Sequence, residues 1–308
     1  MSLKSKIPAI PYMGSKRAIA PKIVDYIMRK HPECENFYDV FGGGGAISFV
    51  AQQYDELNVF YNEFDPQVFN LMRWLLGEKD FSDSVLGNVL PDICYDWVSR
   101  EKFVQHLDDD SWYGGLVRCV WSFGNNGKRY LFGKDIEDYK RLAHLIIVFK
   151  DVYSLKQLSA MLNVVIPEKI FDYDSVYKRR IFFSRFMKTI DKGKNLERLQ
   201  QLERLQRLEQ LQQLQIFNLS YEQVPINSPI ETTIIYCDPP YEKTAEYKHK
   251  FDSQKFYEWF ETLPYPAYMS SYKAPFECVK EIKKRNTLSS STNNSGDGVE
   301  KLFWNGIK

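Results

Sequence analysis

The run IIYCDPPYEK, residues 234–243, joins an apolar, β-branched stretch directly to a carboxylate, two prolines and an aromatic ring. Residues 232–237 have the composition of a strand that is buried on both faces, as in a parallel sheet. Pro239 and Pro240 cannot donate sheet hydrogen bonds, so the strand must end before them, and their fixed φ angles make the loop stiff. Because ligands bind at the carboxyl ends of strands in open α/β sheets, the run predicts a rigid turn at a ligand-binding edge. The alternative is an ordinary Asp-Pro-Pro turn in which Tyr241 only covers the core.

A run of four glycines at residues 42–45 stands between a predicted strand, residues 37–41, and a predicted helix that begins at Ala46. Strand, glycine loop and helix in this order open a nucleotide-binding α/β unit, because glycines let the backbone approach a ligand. The run lacks the GxGxxG spacing of dinucleotide enzymes and the Lys-Ser/Thr pair of a phosphate-binding loop. The loop therefore predicts a ligand that presents no pyrophosphate.

An acidic residue, Glu63, follows a second predicted strand, residues 58–61. An acid at this place, about 20 residues after the glycines, accepts hydrogen bonds from ribose hydroxyls. A ribose-binding acid combined with a loop that binds no phosphate suits S-adenosylmethionine, which has a ribose and no phosphate. The alternative is that Glu63 caps the helix predicted over residues 67–76.

The composition is typical of a soluble globular protein, with 308 residues of which 44% are hydrophobic and 26% charged. The net charge of +1 names no partner. No apolar run approaches the roughly 20 residues that a membrane-spanning helix needs. The five cysteines are scattered and form no CxxC pair, so neither a disulfide framework nor a zinc site is indicated. We therefore expect a cytoplasmic protein with reduced cysteines and no metal.

Regular alternation of strands and helices stops between residues 77 and 190, where helical patterns such as residues 138–150 and 154–162 dominate. Residues 100–188 contain 16 Lys and Arg against 11 Asp and Glu. An inserted region with a basic excess and interleaved aromatic residues favours a nucleic-acid surface. Each basic stretch taken alone is more typical of a solvated face.

Two stretches of this region carry the residues that we expect at a nucleic-acid surface. Residues 121–135 predict a hairpin around an Asn-Asn-Gly turn, with basic side chains at its tip. Residues 177–188, YKRRIFFSRFMK, hold the densest basic cluster. The expected contacts are Asn126, Lys128, Arg129, Tyr130, Lys178, Arg179 and Arg180.

A low-complexity repeat at residues 196–214 has leucine at every third position. This period does not match a heptad, so the repeat does not predict a simple coiled coil. Its residues are strong helix formers, and we interpret it as a helix that leads into a short strand at residues 215–219. A partner-binding surface is the alternative, and the sequence assigns the repeat no function.

Four motifs together resemble the D12 class of DNA adenine-N6 methyltransferases, the Dam-like enzymes. The amino-terminal motif, the cofactor loop, the ribose motif and the catalytic motif of that class are similar to PYMGSKR (11–17), DVFGGGGAISF (39–49), YNEFDP (61–66) and DPPY (238–241). Glu63 stands where an aspartate is more usual in the class. The order of the motifs, with a recognition insert before DPPY, is the α arrangement of amino-methyltransferases.

The resemblance implies an α/β fold: a Rossmann-like, S-adenosylmethionine-dependent methyltransferase sheet with an inserted, mostly helical DNA-recognition domain. It divides the chain into a cofactor-binding part (residues 1–76), a recognition insert (77–195) and a catalytic part (196–308). The implied substrate is adenine N6 in double-stranded DNA, and we expect a monomer associated with the nucleoid. The flanking bases and the presence of a restriction endonuclease partner stay open.

The resemblance also implies roles for individual residues. Asp238 and the Pro239 carbonyl would accept the two N6–H hydrogen bonds of a flipped adenine, while Tyr241 gives the base a face to stack on. The implied catalytic residues are Asp238, Pro239, Pro240 and Tyr241. The implied cofactor-binding residues are Tyr12, Lys16, Asp39, Phe41, Gly42, Gly43, Gly44, Glu63, Phe64 and Asp238. Lys16 as a helix-start cation and Tyr12 as a core residue are alternatives.

Two other functions remain open on the sequence. RNA and protein-glutamine N-methyltransferases use the same chemistry, although they more often have asparagine in place of Asp238 and lack a long insert. A catalytically silent DNA-binding or cofactor-sensing protein is the other alternative, although every motif residue is intact. Methyl transfer from labelled S-adenosylmethionine to DNA, RNA and protein separates these functions.

Overall fold

The computed structural model describes residues 9–77, 92–190, 214–241, 251–284 and 298–307. Within these ranges, seven strands form one sheet in the order β3-β2-β1-β4-β5-β7-β6. The strands are β1 (Asn36–Asp39), β2 (Asn58–Asn62), β3 (Gln215–Phe217), β4 (Thr233–Cys237), β5 (Ala267–Ser271), β6 (Glu277–Lys284) and β7 (Gly298–Trp304). The first five strands in the order are parallel, whereas β7 is antiparallel to both of its neighbours. The arrangement confirms the expected α/β class with a Rossmann-like sheet.

The two central strands, β1 and β4, are buried along their whole length. Residues of β4 alternate between the two faces: Ile234 and Tyr236 belong to one hydrophobic core, whereas Ile235 and Cys237 belong to the other. Burial on both faces explains the uninterrupted apolar run in the sequence. Asp39 pairs in register with Tyr236, so the carboxyl ends of β1 and β4 lie side by side.

Helices cover both faces of the sheet. They are α1 (Ala20–Lys30), α2 (Ala46–Ala51), α3 (Pro66–Leu75), α4 (Arg100–Gln105), α5 (Trp112–Trp121), α6 (Lys134–Phe149), α7 (Val152–Leu162), α8 (Val176–Thr189) and α9 (Ser253–Thr262). At α3 the Asp65 carboxylate accepts a hydrogen bond from the Gln67 N–H and Pro66 opens the first turn, so this helix begins directly after β2. None of the helices in the described ranges has the length and apolarity needed to cross a membrane.

The helical region from α4 to α8 packs against the sheet layer through α5 and α3. Gly115 of α5 lies so close to α3 that a Cβ atom would stand 2.1 Å from the Gln67 carbonyl oxygen. Side chains of α5 and α6 belong to the same hydrophobic core as Phe37 of β1. The division of the chain into three segments stays a prediction, because this shared core marks no boundary between them.

The hairpin predicted at residues 121–135 is wrong in one respect, because the segment does not form two extended strands. One antiparallel bridge, Ser122 to Tyr130, closes this segment, and Phe123–Asn125 form a 3-10 turn. Residues 122–130 are therefore a loop closed by a single bridge, named the bridge loop below.

Two other sequence predictions concern the carboxyl-terminal half, where the structure also contains two strands that were not predicted. The strand β3 is shorter than the predicted 215–219, because it ends at Phe217. The strands β6 and β7 form the antiparallel edge of the sheet, and the sequence patterns do not predict them. The predicted helix over residues 196–214 lies outside the described residues except for Leu214.

Candidate active site

The glycine loop follows β1 and is held by the neighbouring strand β2. The Gly42 N–H donates to the Asn62 carbonyl at 2.7 Å, and the Tyr61 hydroxyl donates to the Gly43 carbonyl at 2.7 Å. A side chain at Gly42 would collide with the Tyr61 ring, since a Cβ atom would stand 2.1 Å from it. Gly43 and Gly45 have φ angles of 50° and 79°, in the left-handed region that favours glycine. The loop is therefore fixed in shape, with its backbone along a cavity.

Glu63 directly follows β2, and its carboxylate is buried against the glycine loop. One oxygen accepts a hydrogen bond from the Gly43 N–H and the other from the Asp65 N–H, each at 2.8 Å. Burial raises the pKa of Glu63 to about 7, although the two backbone donors oppose this shift. Glu63 thus connects the glycine loop to the start of α3 by hydrogen bonds, as in the helix-capping alternative. Its carboxylate oxygens keep lone pairs for a further hydrogen-bond donor.

Asp39 is the last residue of β1, and only one of its two carboxylate oxygens accepts hydrogen bonds from the described residues. Oδ2 accepts hydrogen bonds from the Ser48 hydroxyl at 2.6 Å and the Ser48 N–H at 3.2 Å. Oδ1 is buried and has no hydrogen-bond partner among the residues that the structure describes. Burial, together with the nearby Asp238 carboxylate, raises the pKa of Asp39 to about 7. Neither Asp39 nor Glu63 forms a salt bridge within the described ranges, so this end of the cavity suits a cationic ligand.

Asp238 directly follows β4, and its partner is the buried ammonium of Lys16. Lys16 Nζ lies 2.7 Å from Asp238 Oδ1 and 2.8 Å from Oδ2. The Tyr241 hydroxyl lies between Asp238 Oδ1, at 3.1 Å, and Glu300 Oε1, and donates to one of them. Glu300 belongs to β7, and its Oε1 is 3.7 Å from Lys16 Nζ. Lys16 is thus part of a buried charged cluster, which the helix-start alternative does not explain.

The cluster shifts the pKa values of two of its members. Burial raises the pKa of Asp238, while Lys16 opposes this shift. Burial and the carboxylates of Asp238 and Glu300 raise the pKa of Tyr241, so its hydroxyl stays protonated as a donor. The Tyr241 ring meets the edge of Tyr272 at 5.0 Å between centroids. Tyr241 therefore offers a hydroxyl to the cluster in addition to the ring that the sequence predicts as a stacking face.

One cavity of about 860 Å³ connects the two groups of acids. It lies at the carboxyl ends of β1, β2 and β4, the edge at which ligands are expected, and its volume is that of a small-molecule site. Every cofactor-binding and catalytic residue predicted from the sequence lines it: Tyr12, Lys16, Asp39, Phe41, Gly42, Gly43, Gly44, Glu63, Phe64, Asp238, Pro239, Pro240 and Tyr241. The fold brings these residues together, while their individual roles stay predictions.

The bridge loop borders the same cavity. Two predicted DNA contacts of this loop, Asn126 and Lys128, line the cavity. Asn126 Oδ1 accepts hydrogen bonds from the Lys128 N–H at 2.9 Å and the Arg129 N–H at 3.3 Å, which orders the tip. The side chains of Lys128 and Arg129 are exposed. Tyr130 instead is buried and donates to the Val98 carbonyl at 2.7 Å, so its ring belongs to the core and does not fit a surface role.

The three DNA contacts predicted on the helix α8 differ in burial. Lys178 is exposed, whereas Arg179 and Arg180 are buried. The Arg179 guanidinium donates to the carbonyl oxygens of Ile147, Val148, Tyr173 and Asp174. The Arg180 guanidinium lies 5.4 Å from the centroid of the Tyr177 ring. Both arginines are buried and therefore do not fit a direct DNA contact. They are buried because helical periodicity turns part of the basic run towards the core.

Arg118 of α5 connects the cofactor side of the cavity with the bridge loop. Its Nη1 lies 2.5 Å from Asp65 Oδ2 and 2.6 Å from Gln67 Oε1, at the start of α3. A Cβ atom at Gly127 would stand 2.4 Å from Arg118 Nε, so the bridge loop packs directly on this arginine. The contact joins the predicted DNA loop to the helix that follows Glu63.

Several residues that line the cavity belong to no sequence motif, among them Arg118, Tyr272 and Glu300. Glu300 has the clearest signal in retrospect, because it is an acid in the apolar stretch of β7, two positions before buried Leu302. A strand with alternating sides places residues 300 and 302 on one face. A carboxylate at a buried strand position needs a partner, and that requirement could have marked Glu300.

Comparison with protein families gives a match that covers nearly the whole chain. The family model for D12 class N6 adenine-specific DNA methyltransferase matches residues 12–294. The matched span contains Lys16, Glu63 and Asp238 and ends before Glu300. Comparison with curated proteins gives no match.

Proposed function

Because the chain belongs to the D12 class of N6 adenine-specific DNA methyltransferases, it methylates adenine N6 in DNA with S-adenosylmethionine, and we propose that Asp238 directs this reaction. The observation that carries the proposal is the position of Asp238. It stands at a stiff turn after a central strand, in the cavity that also holds the glycine loop and Glu63. A carboxylate fixed in this way is a preorganised acceptor.

The cofactor fits the end of the cavity formed by β1 and β2. S-adenosylmethionine, when bound, supplies a methyl group on a positively charged sulfur. Asp39 and Glu63 are buried acids without a salt-bridge partner in the described ranges, so a cation beside them offsets the cost of their burial. The unengaged lone pairs of Glu63 accept hydrogen bonds from ribose hydroxyls, and the glycine backbone leaves room for the ligand.

The target adenine occupies the other end, beside the DPPY turn. Adenine N6 is a poor nucleophile, because its lone pair is delocalised into the ring. Asp238 and the Pro239 carbonyl accept the two N6–H hydrogen bonds, which draws N6 towards a tetrahedral geometry and aims the lone pair. The two prolines keep these acceptors in place. The Tyr241 ring gives the base a stacking face.

N6 gains the methyl group and must lose one proton to give a neutral product. Asp238 is within hydrogen-bonding reach of N6 in this arrangement. Burial raises its pKa, so it accepts a proton more readily than an exposed aspartate does. Asp238 therefore serves first as a hydrogen-bond acceptor and then as the first acceptor of the departing proton.

Duplex DNA lies across the bridge loop in this proposal. The exposed side chains of Lys128, Arg129 and Lys178 contact phosphates, while Asn126 lines the cavity. The target base must leave the duplex to reach Asp238, at a cost of about a few kcal/mol that stacking on Tyr241 helps to offset. Arg179 and Arg180 are left out of this surface because they are buried.

The experiment is a single-turnover methyl transfer assay on duplex DNA with the Asp238→Ala variant. Loss of a preorganised acceptor should lower the rate by about 10²- to 10³-fold. The dissociation constants for S-adenosylmethionine and DNA should change little. Asp55→Ala is the matched control, because Asp55 is an exposed acid that does not line the cavity. A near-normal rate for Asp238→Ala would refute the mechanism.

A further inference from the structure

Glu300 is a buried carboxylate in the charged cluster around Asp238. Its side chain is 2% exposed, and it lies beyond the residues that the family model matches. Oε1 contacts the Tyr241 hydroxyl and lies 3.7 Å from Lys16 Nζ. Oε2 is also buried and, in the part of the chain that the structure describes, accepts no hydrogen bond. Glu300 therefore keeps unused acceptor capacity beside the lysine.

Asp238 has less unused hydrogen-bond acceptor capacity than Glu300. Its two oxygens lie 2.7 Å and 2.8 Å from Lys16 Nζ, and the Tyr241 hydroxyl is 3.1 Å from Oδ1. An ammonium at this distance withdraws charge from the carboxylate and uses lone pairs that an amino group also needs. Asp238 is therefore a stronger acceptor for adenine N6 when Lys16 has moved away from it.

The Lys16 ammonium also contacts the Gly14 carbonyl at 3.3 Å, but a neutral carbonyl does not balance its charge, so the buried ammonium needs another carboxylate if it leaves Asp238. An unpaired ammonium in a buried site is strongly disfavoured. Glu300 offers the replacement, since a shift of about 1 Å brings Nζ within hydrogen-bonding distance of Oε1. The Tyr241 hydroxyl contacts the same Oε1.

We propose that Glu300 is a positioning residue that receives the Lys16 ammonium when the target adenine engages Asp238. The inference rests on the proposed role of Asp238. The movement keeps the buried positive charge paired throughout and frees Asp238 to accept from N6. Glu300 does not touch the base in this scheme, because it acts through Lys16.

The kinetic test compares Glu300→Gln in two backgrounds, the natural chain and Lys16→Met. In the natural background, single-turnover methyl transfer should fall about tenfold, as for one lost charge-assisted hydrogen bond. The dissociation constant for S-adenosylmethionine should change less than about twofold, and Glu300→Asp should recover part of the rate. In the Lys16→Met background, Glu300→Gln should have almost no further effect. Glu281→Gln is the control, because Glu281 is an exposed acid on the adjacent strand β6.

Three kinetic outcomes would overturn the proposal. An unchanged rate in the natural background would show that Lys16 needs no second carboxylate. An equal loss of rate in both backgrounds would show that Glu300 acts independently of Lys16. Parallel losses of rate and cofactor affinity would show a structural defect of the whole cavity.

A thermal unfolding cycle decides the question even if Lys16→Met is too slow to assay. Tm is measured for Glu300→Gln, Asp238→Asn and the double variant. The double variant should lose several degrees more than the two single losses combined, because it leaves the buried Lys16 ammonium without either carboxylate. The excess should vanish when the cycle is repeated with Lys16→Met. Additive losses would overturn the proposal, and so would an excess that survives Lys16→Met, since that excess is direct repulsion between the carboxylates.

Failure of this inference and failure of the proposed function give different results. If Asp238→Ala abolishes methyl transfer while Glu300→Gln leaves the rate intact, Asp238 keeps its role and Glu300 loses its own. If Asp238→Ala leaves the rate intact, the proposed role of Asp238 fails, and the inference that depends on it fails as well.

Discussion

Asp39 and Asp238 follow two neighbouring parallel strands, and the protein treats their negative charges in opposite ways. Asp39 is stabilised by a hydroxyl and a backbone N–H of Ser48, with no salt bridge in the described ranges. Asp238 is stabilised by the buried ammonium of Lys16. Burial raises the pKa of both carboxyl groups. The same sheet edge thus presents one acid that lacks a cation and another that already has one.

This difference matches the two roles that we propose for the cavity. An acid that lacks a cation gains most from a positively charged ligand, which fits the proposed cofactor end. An acid that holds its own cation keeps its charge without a ligand, which fits the end proposed to direct N6. Glu63 belongs with Asp39, since its two partners are backbone N–H groups. The predictions below test this division.

Glu63→Ala should weaken S-adenosylmethionine binding roughly 10- to 100-fold, because it removes charge-assisted hydrogen bonds worth about 1.5–3 kcal/mol. Single-turnover methyl transfer at saturating cofactor should fall much less. Calorimetric titration of the cofactor measures the first effect. Unchanged affinity in Glu63→Ala would remove this acid from the cofactor site.

Asp238→Asn and Asp39→Asn should give opposite phenotypes, since each keeps the side-chain shape and removes the charge. Asp238→Asn should slow methyl transfer about tenfold and leave cofactor affinity nearly unchanged, because an amide carbonyl is a weaker acceptor than a carboxylate. Asp39→Asn should weaken the cofactor several-fold and leave the rate at saturation nearly unchanged. Single-turnover kinetics measures the methyl-transfer rates of the two variants, and calorimetry measures their affinities for the cofactor. If both variants lose rate and affinity to the same extent, the division between the two ends is wrong.

The stability of the ligand-free protein should fall as the pH rises from about 4.5 to 7. Asp39 and Glu63 have folded-state pKa values of about 7, above the ordinary values of 3.8 and 4.5. In this window the folded protein holds protons that the unfolded chain has released, so the free energy of unfolding decreases with pH. Each group contributes on the order of 1 kcal/mol between pH 5.5 and 7.5.

Urea unfolding of the natural chain and of Asp39→Asn at pH 5.5 and 7.5 measures this effect. Asp39→Asn should flatten the pH dependence, because the amide does not titrate. Equal pH dependence in the two proteins would show that the Asp39 carboxyl is ionised across this range.

The smallest effect concerns the exposed cations of the bridge loop. Lys128→Ala and Arg129→Ala should each lower the slope of log affinity against log salt by about one unit, because each removes one phosphate contact. Arg179→Ala should leave that slope unchanged and lower Tm, because Arg179 donates to four carbonyl oxygens inside the helical region. Filter binding at several salt concentrations and thermal unfolding separate the two. A lower salt slope in Arg179→Ala would indicate that this arginine contacts DNA after all.

The sequence predicts the central part of the fold well, for a physical reason. Around the cavity, the strand ends carry local signals: glycines, prolines and acids that directly follow apolar strands. These signals predict the edge formed by β1, β2 and β4, and all thirteen predicted cofactor and catalytic residues line one cavity there. Local signals suffice because the carboxyl ends of parallel strands meet at one edge.

The remaining predictions depended on contacts between distant residues. The basic run on α8 gives no sign that Arg179 turns inward to the carbonyls of the α6 C-terminus and the preceding loop. The bridge loop follows a turn signal, but its antiparallel pairing is limited to the one bridge between Ser122 and Tyr130. Glu300 belongs to no motif, because it enters the cavity through pairing of β7 with β5, a contact that local sequence does not specify.

The position of β7 between β5 and β6 also governs when the enzyme is completed during synthesis. The strand β6 is made first, yet its only neighbour in the described sheet is β7, which follows it. A ribosome-bound chain that has not yet released β7 has an unfilled slot beside β5 and no Glu300 at the active site. The same order suggests a split enzyme. A chain cut between β6 and β7 would gain its full rate only when a peptide carrying β7 is supplied, so the peptide concentration would set the level of DNA methylation.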